Sequence, residues 1–316
     1  MSIRLGYQIP NFTHPGVPVE RLFDTVATQA REAETAGFDT VLVMDHFYQL
    51  PGIGAPENAM LEAYTTLGAL ASATSTIQLS TLVTGNTYRN PALLAKTVTT
   101  LDVVSKGRAV LGIGAGWFER EHHDYGFEFG TFGQRFERLD EALTIIAPML
   151  RGEQPTFEGK WYTARGAINN PRLRPTIPIM LGGSGEQKTF RLAARFADHM
   201  NIICDAADLP HKVAVLRQRC EEIGRDPATL ETSFLAMGMV GETEAEAKEL
   251  ADSIPEDRRN RAFLGTPDQV AEQLQERVLA AGIDGICINL PRTGYRPGVV
   301  AQVGAALKPL VTKGAA

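Results

Sequence analysis

The chain has 316 residues, 44% of them hydrophobic and 22% charged, which is enough apolar material to bury a large core. Its 31 Lys and Arg against 37 Asp and Glu leave a formal charge of -6 with no basic run, and this excludes nucleic-acid binders, whose phosphate contacts need a basic stripe. No apolar run approaches membrane-spanning length.

The opening segment, Met1-Ser2-Ile3-Arg4-Leu5-Gly6, lacks the basic-then-apolar pattern of a leader, so the protein is expected to be unexported. Cys204, Cys220 and Cys287 are widely spaced and form no CxxC, which fits free thiols in a reducing cytoplasm. The expected partner is a small-molecule substrate, with no nucleic acid and no membrane; a homodimer is left open.

In chain order, the first predicted strand, Arg4–Ile9, leads to a predicted helix at Val19–Ala36. Leu22, Val26, Ala30 and Ala33 give that helix an apolar stripe of helical period, and Gly37 follows as its stop. Strand Thr40–Met44, a Pro/Gly/Asn-rich segment Phe47–Leu61 and helix Ala63–Thr74 come next. Then follow strand Ile77–Val83, helix Pro91–Ser105, strand Ala109–Ile113 and helix Gln134–Arg151. Gly152–Thr176 is long for a connection, and its alternating stretch Pro155–Tyr162 predicts a small hairpin. Strand Pro178–Gly182, helix Gln187–Ala197, strand Met200–Ile203 and helix Leu209–Ile223 continue the alternation. Strand Ser233–Val240, a charged and partly helical segment Ala245–Thr266, helix Pro267–Ala281 and strand Gly285–Leu290 complete it. Gly224 and Gly282 sit where helix stops belong.

Alternating β and α elements imply parallel strands with right-handed crossovers. Eight strands is the closing number of a (β/α)8 TIM barrel, expected here as one domain over 1–316 with insertions after strand two, before strand five and after strand seven. An open doubly wound sheet is the alternative.

A barrel of this kind carries its site at the C-terminal ends of the strands. There lie Gln8-Ile9-Pro10-Asn11, Asp45-His46, Leu82 to Asn86, Gly112 to Trp117 and Gly182-Gly183-Ser184-Gly185. The last precedes a helix, where close backbone approach and free N–H groups favour a phosphate, although a tight turn has the same composition. Gly112, Gly114 and Gly116 lack the final spacing of GxGxxG and sit at the fourth strand, so a Rossmann site is rejected. His46, beside Asp45, is a candidate proton donor or acceptor near neutral pH, or a structural histidine. His122-His123 has no ligand spacing for a metal.

Four segments, Phe38–Phe47, Leu82–Pro91, Leu111–Trp117 and the 182–185 turn, together resemble the luciferase-like flavin/deazaflavin oxidoreductases, in particular the coenzyme F420-dependent branch. The resemblance runs along essentially the whole chain and implies the same barrel. It implies hydride transfer between F420 and a small organic substrate, by C=C or C=O reduction or alcohol oxidation. His46 is then the catalytic residue, and Asp45 lies beside the ring. Leu82 and Val83 match a position where many relatives carry a non-prolyl cis peptide behind the ring. Thr84 matches a contact to the ring edge, Ala115 and Gly116 match backbone contacts near the ring or ribityl chain, and Gly183, Ser184 and Gly185 match the phosphate turn. Relatives that oxidise a sugar phosphate place a carboxylate directly after the strand-four glycine, where this chain has Trp117, so that activity is not expected. Trp117 is read as a wall of the substrate pocket and Glu119 as a substitute carboxylate, with Phe47–Leu61 as rim or lid. An FMN-dependent monooxygenase and a non-catalytic deazaflavin-binding protein are the alternatives.

Overall fold

The computed structural model describes residues 3–254, 259 and 261–312. Strands β1 (Leu5–Ile9), β2 (Thr40–Val43), β3 (Gln78–Thr81), β4 (Thr84–Gly85) and β5 (Leu111–Gly114) occupy the first part of the chain. The short β6 (Thr156–Glu158) and β7 (Thr163–Arg165) pair antiparallel, so the predicted hairpin is present and extends past Tyr162. β8 (Ile179–Gly183), β9 (His199–Ile202), β10 (Glu231–Val240), β11 (Ala262–Gly265) and β12 (Gly285–Asn289) follow. The main sheet runs β3-β2-β1-β12-β10-β9-β8-β5-β4, and every pairing within it is parallel. It closes on itself because Leu79 of β3 bridges Ala109, ahead of β5. Backbone bonds Leu79 N to Arg108 O (2.9 Å) and Val110 N to Leu79 O (3.0 Å) make the seam. A ring has no free edges, so the open-sheet alternative is excluded and the barrel stands.

The helices are α1 (Leu22–Ala36), α2 (Ala63–Ala73), α3 (Pro91–Val104), α4 (Glu119–Tyr125), α5 (Phe132–Leu150), α6 (Thr189–Phe196), α7 (Leu209–Glu221), α8 (Glu244–Asp252), α9 (Pro267–Arg277) and α10 (Val299–Thr312). Gly37, Gly224 and Gly282 all have left-handed φ (86°, 72° and 85°), as predicted for helix stops. α5 starts two residues earlier than predicted because Thr131 and Gln134 form a reciprocal capping box. α6 starts two residues later, because Phe190 N bonds Gly185 O and Glu186–Lys188 form a turn.

Four elements were not predicted: α4, α10, the two-residue β4 and β11, which adds a parallel strand outside the barrel on β10. The charged segment Ala245–Thr266 therefore contains helix α8 and strand β11, while its residues 255–258 and 260 lie outside the described residues.

Apolar side chains from the outer face of the strands, such as Val41, Val43, Leu79 and Leu111, meet the helices in one large core. A second, smaller cluster of Ile3, Leu42, Leu82, Val110, Met180 and Cys287 plugs the barrel from inside. Gly112 is required there: a Cβ on it would sit 1.9 Å from the Thr81 carbonyl oxygen, so β3 and β5 could not approach. The plug stops short of the strands' C-terminal ends and leaves a cavity above it. No helix among the described residues is long and apolar enough to cross a membrane.

Candidate active site

The cavity has a volume of about 630 Å³ and opens at the C-terminal ends of the strands. Gln8, Asp45, His46, Leu82, Val83, Thr84, Ala115, Gly116, Trp117, Gly183, Ser184 and Gly185 all line it. The structure thus gathers every predicted site residue except one. Glu119 does not line this cavity: its side chain is 63% exposed and pairs with His123 at 3.8 Å. It opens α4, where Glu119 and Glu121 are two residues apart and so project about 200° apart around the helix. The inward carboxylate is Glu121.

Glu121 is fully buried and accepts four hydrogen bonds. His46 Nδ1 (2.8 Å) and the Tyr88 hydroxyl (2.7 Å) donate to Oε2, while the Phe47 (2.5 Å) and Tyr48 (2.9 Å) amides donate to Oε1. Burial pushes this carboxyl upward, but these donors, led by His46, outweigh it and hold the group below the usual glutamate range. With Glu121 ionised and acceptor-only, Nδ1 of His46 carries a proton. Nε2, on the other side of the ring, is then the nitrogen available to the cavity. The three bonds from His46, Phe47 and Tyr48 tie down the segment after β2, and Gln49 Nε2 adds a bond to Pro10 O (3.1 Å), so Phe47–Leu61 begins as an anchored rim.

Asp45 faces the cavity floor, yet both its oxygens are engaged. Arg89 donates from Nη1 to Oδ2 (2.5 Å) and from Nη2 to Oδ1 (2.9 Å), and Gly85 N reaches Oδ2 at 3.1 Å. Burial alone lowers the Arg89 pKa, but the Asp45 contacts more than offset it and keep the guanidinium protonated. Asp45 therefore fixes the turn after β4, with Arg89 braced in addition against Glu62 (2.8 Å) and over the Tyr64 ring (4.9 Å).

Beside this pair the peptide bond Leu82–Val83 is cis. The Val83 side chain lies across two glycines: a Cβ on Gly114 would be 2.8 Å and one on Gly182 2.7 Å from its methyl groups. Gln8 Nε2 donates to the Leu82 carbonyl (3.1 Å), and Asn289 Nδ2 donates in turn to Gln8 Oε1 (2.8 Å). Thr84 lines the cavity, but its hydroxyl is occupied by Tyr64 (2.7 Å) and Thr81 (2.8 Å).

At the other end of the cavity, Gly183 has φ 141°, and a Cβ on Gly185 would come 2.9 Å from Thr189 Oγ1, the first residue of α6. A side chain at these positions would fill the cradle between turn and helix. Lys212 stands behind it, donating to Ser184 O (3.2 Å) and Glu186 Oε1 (2.5 Å). Arg135 closes the wall between, with bonds to Gly116 O (3.0 Å) and Gly130 O (2.9 Å).

Sequence reasoning missed Glu121, Tyr88, Arg89, Arg135 and Asn289. No sequence signal marked the first: only Glu121 and His122 of α4 are buried, and Tyr125, one turn on from Glu121, is 52% exposed.

The sequence and fold that build this site have counterparts among known proteins. The F420-dependent glucose-6-phosphate dehydrogenase of Microbacterium testaceum is 38% identical over 169 residues, 52% of this chain and 48% of that protein. The F420-dependent hydroxymycolic acid dehydrogenase of Mycobacterium tuberculosis is 30% identical over 231 residues, 71% of this chain and 61% of that one. The chain thus spans about half to three-fifths of the length of these curated relatives. Among solved structures, an F420-dependent secondary alcohol dehydrogenase bound to an F420–acetone adduct superposes with TM-score 0.81 at 22% identity, over 98% of this chain and 99% of that one. The FMN-bound oxygenating component of a Pseudomonas putida diketocamphane monooxygenase superposes with TM-score 0.76 at 19% identity, over 98% and 99%. The model for luciferase-like monooxygenases matches residues 3–257, nearly all of the strands and loops that build this cavity, and the chain belongs to that family.

Proposed function

We propose that the chain is a single-domain, coenzyme F420-dependent oxidoreductase that moves a hydride between the deazaflavin and a carbon of a small organic substrate. The observation that carries this reading is the His46–Glu121 pair at the wall of a cavity whose far end is a glycine cradle. The residues fit such a coenzyme. Leu82 and Val83 would offer an apolar backing for the ring, with Ala115 and Gly116 beside it. Gly183, Ser184 and Gly185 leave backbone room for a phosphate, and Asp45 acts by holding Gly85 and Arg89 in place.

When bound, the coenzyme accepts a hydride in its oxidised form or supplies one in its reduced form. His46 handles the proton. In alcohol oxidation, Nε2 takes the hydroxyl proton as the carbinol carbon gives up its hydride and the C=O bond forms; in carbonyl reduction the same nitrogen returns that proton. Glu121, ionised and bonded to Nδ1, stabilises the imidazolium that appears in either direction.

F420 is favoured over FMN by the sequence relatives at 30–38% identity, whereas the FMN-bound neighbour shares the fold at 19%. A cytoplasmic setting goes with this reading, supported by three free cysteines. So does a homodimer, supported by Leu93 and Val104 exposed on α3. Titration with F420 and FMN, followed by a substrate screen with the preferred coenzyme, tests the assignment.

A further inference from the structure

We infer that the substrate side of the cavity takes an uncharged, hydrophobic alcohol or carbonyl compound, and not a phosphorylated or carboxylated one. This inference rests on the oxidoreductase reading above and goes beyond it to the substrate's chemistry.

The first argument is charge. Four ionisable side chains line the cavity: Asp45, His46, Tyr88 and Arg135. Asp45 is paired with Arg89, and the Tyr88 hydroxyl donates to Glu121. Arg135 is drawn into the wall by the carbonyls of Gly116 and Gly130, and its guanidinium lies 3.9 Å above the Phe129 ring. No lysine lines the cavity. The cradle at Gly183–Gly185, backed by Lys212, is the place for an anion, and it belongs to the coenzyme's phosphate. A second anion beside His46 would lose its water and meet only Arg135, whose Nε and Nη1 already serve the Gly116 and Gly130 carbonyls.

The second argument is the wall itself. Leu50 and Ile53 reach in from the rim after β2, and Trp117 stands edge-on to His46 with ring centroids 5.6 Å apart. Trp117 is 60% exposed and Phe132, at the start of α5, is 59% exposed. Large aromatic surface left facing water at a cavity mouth is surface that an apolar ligand gains by covering. An indole beside the proton-carrying histidine shapes a slot for hydrocarbon.

The test uses the full chain with Trp161→Phe, which leaves Trp117 as the sole tryptophan, since the sequence holds two. Straight-chain methyl ketones from butanone to octan-2-one are titrated against Trp117 fluorescence without coenzyme and then used as substrates with reduced F420, and glucose 6-phosphate is tested as their competitive inhibitor in that assay, where the coenzyme fills the glycine cradle. Each added methylene should tighten the dissociation constant by about fourfold until the slot is filled, with kcat/KM following in parallel. Ile53→Asp, which puts a carboxylate on the rim, should abolish that trend. A flat series, or glucose 6-phosphate binding more tightly than octan-2-one, overturns the inference. The coenzyme reading fails separately: a steep ketone series in fluorescence with no F420 turnover leaves the apolar slot standing and removes the coenzyme assignment.

Discussion

Nδ1 of His46 and Oε2 of Glu121 lie 2.8 Å apart although 75 residues separate them in sequence. The contact joins the end of β2 to helix α4 and decides which imidazole nitrogen meets the substrate. In Glu121→Gln the amide N–H₂ cannot accept from Nδ1, so the imidazole is driven toward the other tautomer. Turnover should fall by about 100-fold or more, while the backbone amides of Phe47 and Tyr48 keep an acceptor in the Gln carbonyl. A shifted pH–rate profile accompanies a true positioning role; loss of melting temperature with an unchanged profile would reduce Glu121 to a structural anchor.

The same carboxyl gives a pH prediction. Its folded pKa is depressed, so its stabilisation is complete above the ordinary glutamate pKa and disappears as pH falls through the folded value, below that range. At neutral pH the wild type should exceed Glu121→Gln in unfolding free energy by about 1–3 kcal/mol. Denaturant melts at decreasing pH should show the gap closing in acid. A gap that widens instead would mean that the carboxyl's folded pKa is raised, not depressed.

His46→Ala should lower turnover by at least about 100-fold with coenzyme affinity within a few-fold of wild type. Affinity, melting temperature and turnover measured on one preparation separate this from a packing role, which would cost stability and spare activity per folded molecule.

Arg89→Met strands the Asp45 carboxylate in a buried site. It should cost about 3–5 kcal/mol in urea unfolding, and the double variant Asp45→Asn/Arg89→Met should recover part of that loss. Additive losses would show that the pair is not coupled.

Gly185→Val places a branched side chain against Thr189 in the cradle. Coenzyme affinity should fall by at least about tenfold with the barrel still folded. Unchanged affinity in a folded variant would place the phosphate elsewhere.

The barrel could be read from sequence because each strand is a short apolar run and each major helix carries a stripe of helical period. Where that signal fails, so does the reading: β11 is four residues long and follows a charged stretch. α10 (VVAQVGAALKPLVT) was passed over although its buried Val299, Val300, Val303 and Leu307 recur at helical spacing. In the site, residues at strand ends were found because chain order places them there. Glu121 and Arg89 were not, because their roles arise from contacts 75 and 44 residues away in sequence. Reading Glu119 as a pocket carboxylate was an error of helix phase, which becomes visible once α4 is known to begin at Glu119.

Parallel titrations of the purified protein with F420 and with FMN test the central claim most directly. The account predicts micromolar or tighter binding of F420 and FMN binding weaker by at least about tenfold, since the family fold accommodates either ring while the sequence relatives favour the deazaflavin. FMN binding equal to or tighter than F420 would contradict it.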